Sequence, residues 1–105
     1  MKIHYSSKRL KRILEDEILI KRNYGAKDGA SICNRLSELR AANSLNEIPA
    51  TPPPRRHKLQ GNKDGCWAVS YSKNNRIIFK PQGEFDIERL ETIKEIEIIN
   101  LEDYH

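Results

Sequence analysis

The hydrophobic residues change period halfway along the chain, from helical spacing to alternation. Lys2-Ile3-His4-Tyr5 predicts a short strand ended by Ser6-Ser7, whose hydroxyls suit helix N-caps. From Lys8 onward Leu10, Ile13, Leu14 and Ile18 share one helical face, with Lys8, Arg9, Lys11, Arg12, Glu15 and Asp16 mostly off it. Asn23-Tyr24-Gly25 ends that helix. A second, capped by Asp28 or Ser31, carries the stripe Ile32, Leu36 and Leu39 and runs out at Asn43-Ser44. The short connection predicts an antiparallel helix pair. The segment Ile48-Pro49-Ala50-Thr51-Pro52-Pro53-Pro54 can be neither helix interior nor central strand, and predicts an extended connector into Arg55-Arg56-His57.

Beyond the turn cluster Gly61 to Gly65, Cys66-Trp67-Ala68-Val69-Ser70-Tyr71-Ser72 and Arg76-Ile77-Ile78-Phe79-Lys80 read as two strands of a hairpin. With Ser72 opposite Arg76, parity puts Trp67, Val69, Tyr71, Ile77 and Phe79 on one face, the natural cover for the helices. Ser70, Ser72, Arg76 and Ile78 take the other, accessible face. Residues 84–91 predict at most a helical turn. Ile93, Ile96, Ile98, Ile99 and Leu101 then predict a last strand. The expected fold is α+β, with an N-terminal strand and a two-helix pair packed on one face of a mainly antiparallel sheet.

A chain of 105 residues favours a single domain, 1–105. No apolar run approaches the roughly 20 residues of a membrane-spanning helix, and no apolar stretch follows the first charges as in a secretory signal. Cys33 and Cys66 make neither a disulfide framework nor a paired metal motif, so a reduced, cytoplasmic protein is expected. The net charge of +4 conceals a split. Residues 1–83 hold 17 Lys/Arg against 7 Asp/Glu, whereas residues 84–105 hold 2 against 8. A basic body predicts a polyanionic partner, with a merely solvated face as the alternative.

Candidate chemistry is sparse. The chain has no paired ligand motif for zinc, no convergent carboxylates in the basic region and no Gly-rich phosphate loop. Of three histidines, His4 belongs to the first strand, while His57 and His105 sit where two imidazoles near a cationic surface can exchange protons at neutral pH. Cys66, beside Trp67, reads as a packed strand residue.

Four segments carry a resemblance: His57-Lys58-Leu59-Gln60-Gly61, Gly65-Cys66-Trp67, Asn75-Arg76-Ile77-Ile78-Phe79 and Glu102-Asp103-Tyr104-His105. In this order they resemble the HigB group of RelE-type toxins, closely over residues 57–81 and 101–105 and only in layout before them. The resemblance implies a RelE-like fold and an endoribonuclease that cleaves mRNA on translating ribosomes, with no metal and no cofactor. It also implies a helix-turn-helix, HigA-like antitoxin bound in a toxin–antitoxin heterotetramer. His57, Arg76, Asp103, Tyr104 and His105 occupy the family's functional positions. His57 and His105 would share the proton transfers in either order, Tyr104 would stack or assist, Arg76 would hold phosphate, and Asp103 would orient a neighbour. Gln60 stands where close relatives have lysine, so Lys58 or Lys63 would supply that RNA-binding charge. The acidic stretch 82–97 is longer than in compact relatives. A gyrase-directed, non-catalytic member of the superfamily and a plain RNA-binding module are the rival readings.

Overall fold

The computed structural model describes residues 1–103; Tyr104 and His105 lie outside the described residues. The chain runs β1 (Lys2–Tyr5), α1 (Lys8–Leu14), α2 (Glu17–Tyr24), α3 (Ala26–Ala41), β2 (His57–Lys58), β3 (Trp67–Ser70), β4 (Asn75–Pro81) and β5 (Glu95–Asp103). Single 3-10 turns occur at Leu45–Glu47, Gly61–Lys63 and Leu90–Thr92. The five strands form one sheet in the order β1-β5-β4-β3-β2, with β1 parallel to β5 and the other pairs antiparallel. This is the expected α+β layout. None of the helices is long and apolar enough to cross a membrane.

The expected helix pair is three helices. Ser7 caps α1 as predicted, its Oγ accepting from the Leu10 amide at 3.1 Å. The break follows at Asp16, whose Oδ1 accepts from the amides of Ile18 (2.9 Å) and Leu19 (3.2 Å), so a new helix starts there. That cap resets the helical phase. Ile20 becomes the buried residue of α2, and Ile18, expected in the stripe, is 69% exposed. Helix α3 begins at Ala26, ahead of Asp28 and Ser31, because Gly25 with a φ of 90° makes the corner without a side-chain cap. Gly29 then lets α3 lie against α2: a Cβ there would come 2.9 Å from Lys21 Cγ and 3.0 Å from Lys21 Cα.

The proline segment turns back on itself instead of extending. The Arg55 amide reaches the Thr51 carbonyl at 3.1 Å, and the Arg56 amide reaches that of Pro49 at 3.0 Å. A cleft of about 420 Å³ between this segment and the end of α3 is lined by Glu38, Ala42, Ile48, Pro49, Pro53 and Pro54, among others. None of the predicted site residues borders it.

The core lies between the helices and one sheet face. Ile13, Leu14, Ile32, Leu36 and Leu39 from the helices meet Trp67, Val69, Ile77, Phe79, Ile96 and Ile98 from the strands. The hairpin pairs Ser70, not Ser72, with Arg76. A shift of two residues preserves parity, so each side chain keeps its expected face. Asn75 closes the connection, its carbonyl accepting from the Tyr71 amide at 3.0 Å and its Nδ2 donating to Ser72 Oγ at 2.8 Å.

The opposite face carries a smaller cluster of Leu59, Cys66, Ala68 and Ile78, with Ile99 against it. The loop from Leu59 to Cys66 folds over it, pinned by the Leu59 amide on the Cys66 carbonyl at 2.9 Å. Cys66 is buried there, as expected. Strand β5 has an irregularity at this level: Ile78 pairs with Asn100 but Phe79 pairs with Ile98, leaving Ile99 as an extra residue.

Candidate functional site

Cross-strand partners share a face, and this assembles the site. One row across the face away from the helices reads Ser70, Arg76, Glu102; the adjacent row reads His57, Ala68, Ile78, Asn100. His57 and Arg76 thus lie two strands and two residues apart, roughly 12 Å between Cα atoms by sheet spacing. The turn Gly61–Lys63 brings Lys63 over the same face. His4 is excluded by topology: β1 and β2 are opposite edges, roughly 19 Å apart over four strand spacings. Its Nε2 faces Glu95 at 3.3 Å.

The imidazole of His57 is fixed by its neighbour. Nδ1 lies 2.7 Å from the Arg55 carbonyl oxygen. A carbonyl only accepts, so Nδ1 carries the hydrogen and Nε2 is the basic nitrogen of the neutral ring. Arg55 holds that carbonyl in place with a φ of 46°, the left-handed region that side-chain-bearing residues seldom occupy. The Arg55 Nε also donates to Ser70 Oγ at 3.4 Å, bringing its guanidinium to the Arg76 row. Its neighbour Arg56 takes the other direction and stacks 5.8 Å above the Trp67 ring. The two arginines are indistinguishable in sequence; alternation along the strand separates them.

Arg76 is less accessible than parity alone predicts. Its side chain is 15% exposed, because the Leu59–Cys66 loop covers the face and Glu102 pairs with it. Arg76 Nη2 donates to Glu102 Oε1 at 2.7 Å and Nε to the same oxygen at 3.3 Å. Lys63 Nζ contacts Glu102 Oε2 at 3.3 Å. Burial raises the Glu102 pKa, but the hydrogen bonds and charges of Arg76 and Lys63 outweigh it and leave the carboxyl below its ordinary value.

The remaining predicted residues are placed as follows. Lys58 is exposed on the edge strand opposite Trp67, on the helix side of the pleat. Asp103 pairs with Asn75, which puts it one position out of phase with Glu102 and on the helix side as well. Its charge there adds to the forces on the Tyr71 phenol, which burial first, then Asp28, Tyr24 and Asp103, push up to about 12. Tyr104 and His105 lie outside the described residues. The structure therefore groups His57, Lys63 and Arg76 on one face and separates Lys58 and Asp103 from them. It adds Arg55 and Glu102, which sequence reading passed over. Glu102 was visible only as a letter of the closing motif; the signal for its partner is the antiparallel register with Arg76, which needs the strand pairing.

Among the described residues no group of three or more His, Cys, Asp or Glu side chains converges as metal ligands do. The cluster offers a preset imidazole base and guanidinium and ammonium donors for an anion.

No family model matches the chain, and no curated protein matches it in sequence. Solved structures do. A "YoeB/ParE toxin" from Agrobacterium tumefaciens superposes with a TM-score of 0.61 over 100% of both chains at 13% identity. A YafQ mutant from E. coli gives 0.59 over 97% of this chain and 91% of the other, at 17% identity. A "YoeB-YefM complex" from Staphylococcus aureus gives 0.55 over 100% and 97%, also at 17% identity. The likeness lies in the fold: the chain has the RelE/YoeB-like toxin fold, as the sequence resemblance implied. The placement within the HigB group is a finer matter.

Proposed function

We propose that this chain is the toxin of a type II toxin–antitoxin pair, of the HigB kind, and that it cleaves mRNA in the cytoplasm at the translating ribosome. The single observation that carries the reading is the pairing, on one sheet face, of a His57 ring whose Nε2 is basic with the Arg76 and Lys63 cations. RNA cleavage of this type needs those groups. Nε2 of His57 accepts the 2′-hydroxyl proton, the 2′-oxygen attacks phosphorus, and the bond to the 5′-oxygen breaks. The products are a 2′,3′-cyclic phosphate and a 5′-hydroxyl, the latter protonated by an acid. That acid is assigned to the closing Asp103-Tyr104-His105, with His105 first in line by its pKa range. Arg76 and Lys63 neutralise the charge that gathers on the phosphate, an effect worth about 3–4 kcal/mol for one placed donor.

A helix-turn-helix antitoxin and a heterotetrameric complex belong to the same reading. The S. aureus fold relative is described as a heterotetrameric toxin–antitoxin complex with YefM, so partners of more than one kind suit this fold. The test is mapping of mRNA 5′-ends after brief induction, with His57→Ala and Arg76→Ala as controls. New 5′-hydroxyl ends within reading frames, absent from both variants, support the reading. Growth arrest without new ends would favour the protein-binding, gyrase-directed alternative, and no arrest with retained RNA binding would favour a plain binding module.

A further inference from the structure

Glu102 is a carboxylate set between two cations on a face that the proposed reaction needs for phosphate. Both of its oxygens are engaged, Oε1 by Arg76 and Oε2 by Lys63. The side chains of Arg76 and Glu102 are 15% and 20% exposed, and that of Lys63 is 37% exposed. The arginine is anchored on an inner strand, whereas the lysine stands on a single 3-10 turn, so the cluster opens toward solvent from the lysine side. A phosphodiester presents what the carboxylate presents: two oxygens sharing one negative charge, which a guanidinium fork and an ammonium can grip together.

We propose that Arg76 and Lys63 form a phosphate subsite that Glu102 occupies in the free protein, and that an RNA phosphate enters by displacing this carboxylate. Glu102 is thus a positioning residue: it holds the two cations within the span of one anion before substrate arrives, and it makes every binding event an exchange. The phosphate's belonging to RNA rests on the ribonuclease reading; the subsite itself does not. The charge accounting separates this from a general field effect. The acidic connection between β4 and β5 lies at the opposite end of their ladder from the Arg76–Glu102 pair, so neutralising an acid there changes net charge equally without freeing the two cations.

The experiment compares the intact protein with Glu102→Gln and Glu88→Gln, using a 2′-O-methyl RNA hexamer that cannot be cleaved and, separately, inorganic pyrophosphate. Glu102→Gln is expected to bind both probes at least threefold more tightly, with a salt dependence for the hexamer steeper by about 0.7 in log–log slope per freed cation. Glu88→Gln is expected to stay within twofold of the native protein. Equal gains in the two variants, or no gain in Glu102→Gln, would overturn the subsite. A gain for pyrophosphate with no binding of the hexamer by any form would uphold the subsite and count against the ribonuclease reading alone. Lys63→Gln supplies an independent test if Glu102→Gln does not fold: pyrophosphate binding should fall at least threefold, and unchanged binding would overturn the proposal.

Discussion

Replacing Arg55 by glycine and by alanine separates what its backbone does from what its side chain does. At a φ of 46° a Cβ crowds the following carbonyl, a cost of about 1–2 kcal/mol for a side-chain-bearing residue. Glycine removes that cost but gives back about 0.4–1 kcal/mol through the greater freedom of its unfolded chain. The balance makes Arg55→Gly more stable than Arg55→Ala by about 0.5–1 kcal/mol, the reverse of the order at an ordinary position. With a urea slope of about 1–3 kcal/mol per molar, the two midpoints should differ by a few tenths of a molar. Both variants lose the guanidinium contact to Ser70, and both keep the main-chain carbonyl that accepts from His57 Nδ1. Cleavage should therefore fall by the same factor in the two, with the pH at which the base titrates unchanged. An alanine variant as stable as the glycine one would show that the left-handed backbone at Arg55 carries no strain. Unequal losses of activity would show that the backbone, not the guanidinium, is what the site requires.

Gly29→Ala should destabilise the protein despite the better helix propensity of alanine, because its Cβ would meet Lys21 Cα at 3.0 Å; overpacking of about 1–3 kcal/mol outweighs the roughly 1 kcal/mol gained, and the melting temperature reads the sign. Arg76→Lys should fold normally yet lose most RNA cleavage, since an ammonium cannot reproduce a two-nitrogen grip on one anion; cleavage above half the native rate would refute this. Glu102, held below its ordinary pKa of about 4.3, contributes stability that is present above that value and is lost as pH falls through the depressed one. Acid unfolding of Glu102→Gln should accordingly be flatter than that of the native protein below pH 4.5 or so by circular dichroism, and parallel curves would deny the linkage. Substituting Lys8, Lys11 and Arg12 together by Gln should reduce the salt dependence of ribosome or RNA binding if α1 faces the polyanion, and an unchanged slope would assign those charges to solvent.

Much of the fold was legible because the signals that carry it tolerate small errors. The hairpin register was misplaced by two residues, yet Trp67, Val69, Ile77 and Phe79 stayed on the core face, since pleating repeats every two. Helical period has no such tolerance. The Asp16 side chain caps a new helix, and everything after it shifts phase, which is how Ile18 came to be exposed and Ile20 buried. A capping aspartate in mid-helix and a charged residue on a helix surface look the same in sequence. The proline segment was read correctly as non-helical, but its turn depends on main-chain bonds from Arg55 and Arg56 that no composition announces. For the site, the residue types were readable and the faces were not. His57, Arg76 and Lys63 converge because of strand pairing, and Asp103 falls away from them for the same reason.

That last separation traces to Ile99. Ahead of it Ile96 and Ile98 point to the helices; after it Leu101 does, while Asn100 and Glu102 turn to the other face. With a regular ladder the alternation would continue, and Glu102 would point at the helices with Leu101 and Asp103 in its place beside Arg76. A single inserted residue therefore decides which acid meets the arginine, without altering any residue of the main core. In a lineage of such chains, gain or loss of one codon at this point exchanges the charged partners of the cationic face in one step. Substitutions alone would have to rebuild both faces of the strand to reach the same end. Deleting Ile99 would test how readily the closing strand is rephased, with the proximity of positions 101 and 103 to Arg76 as the readout.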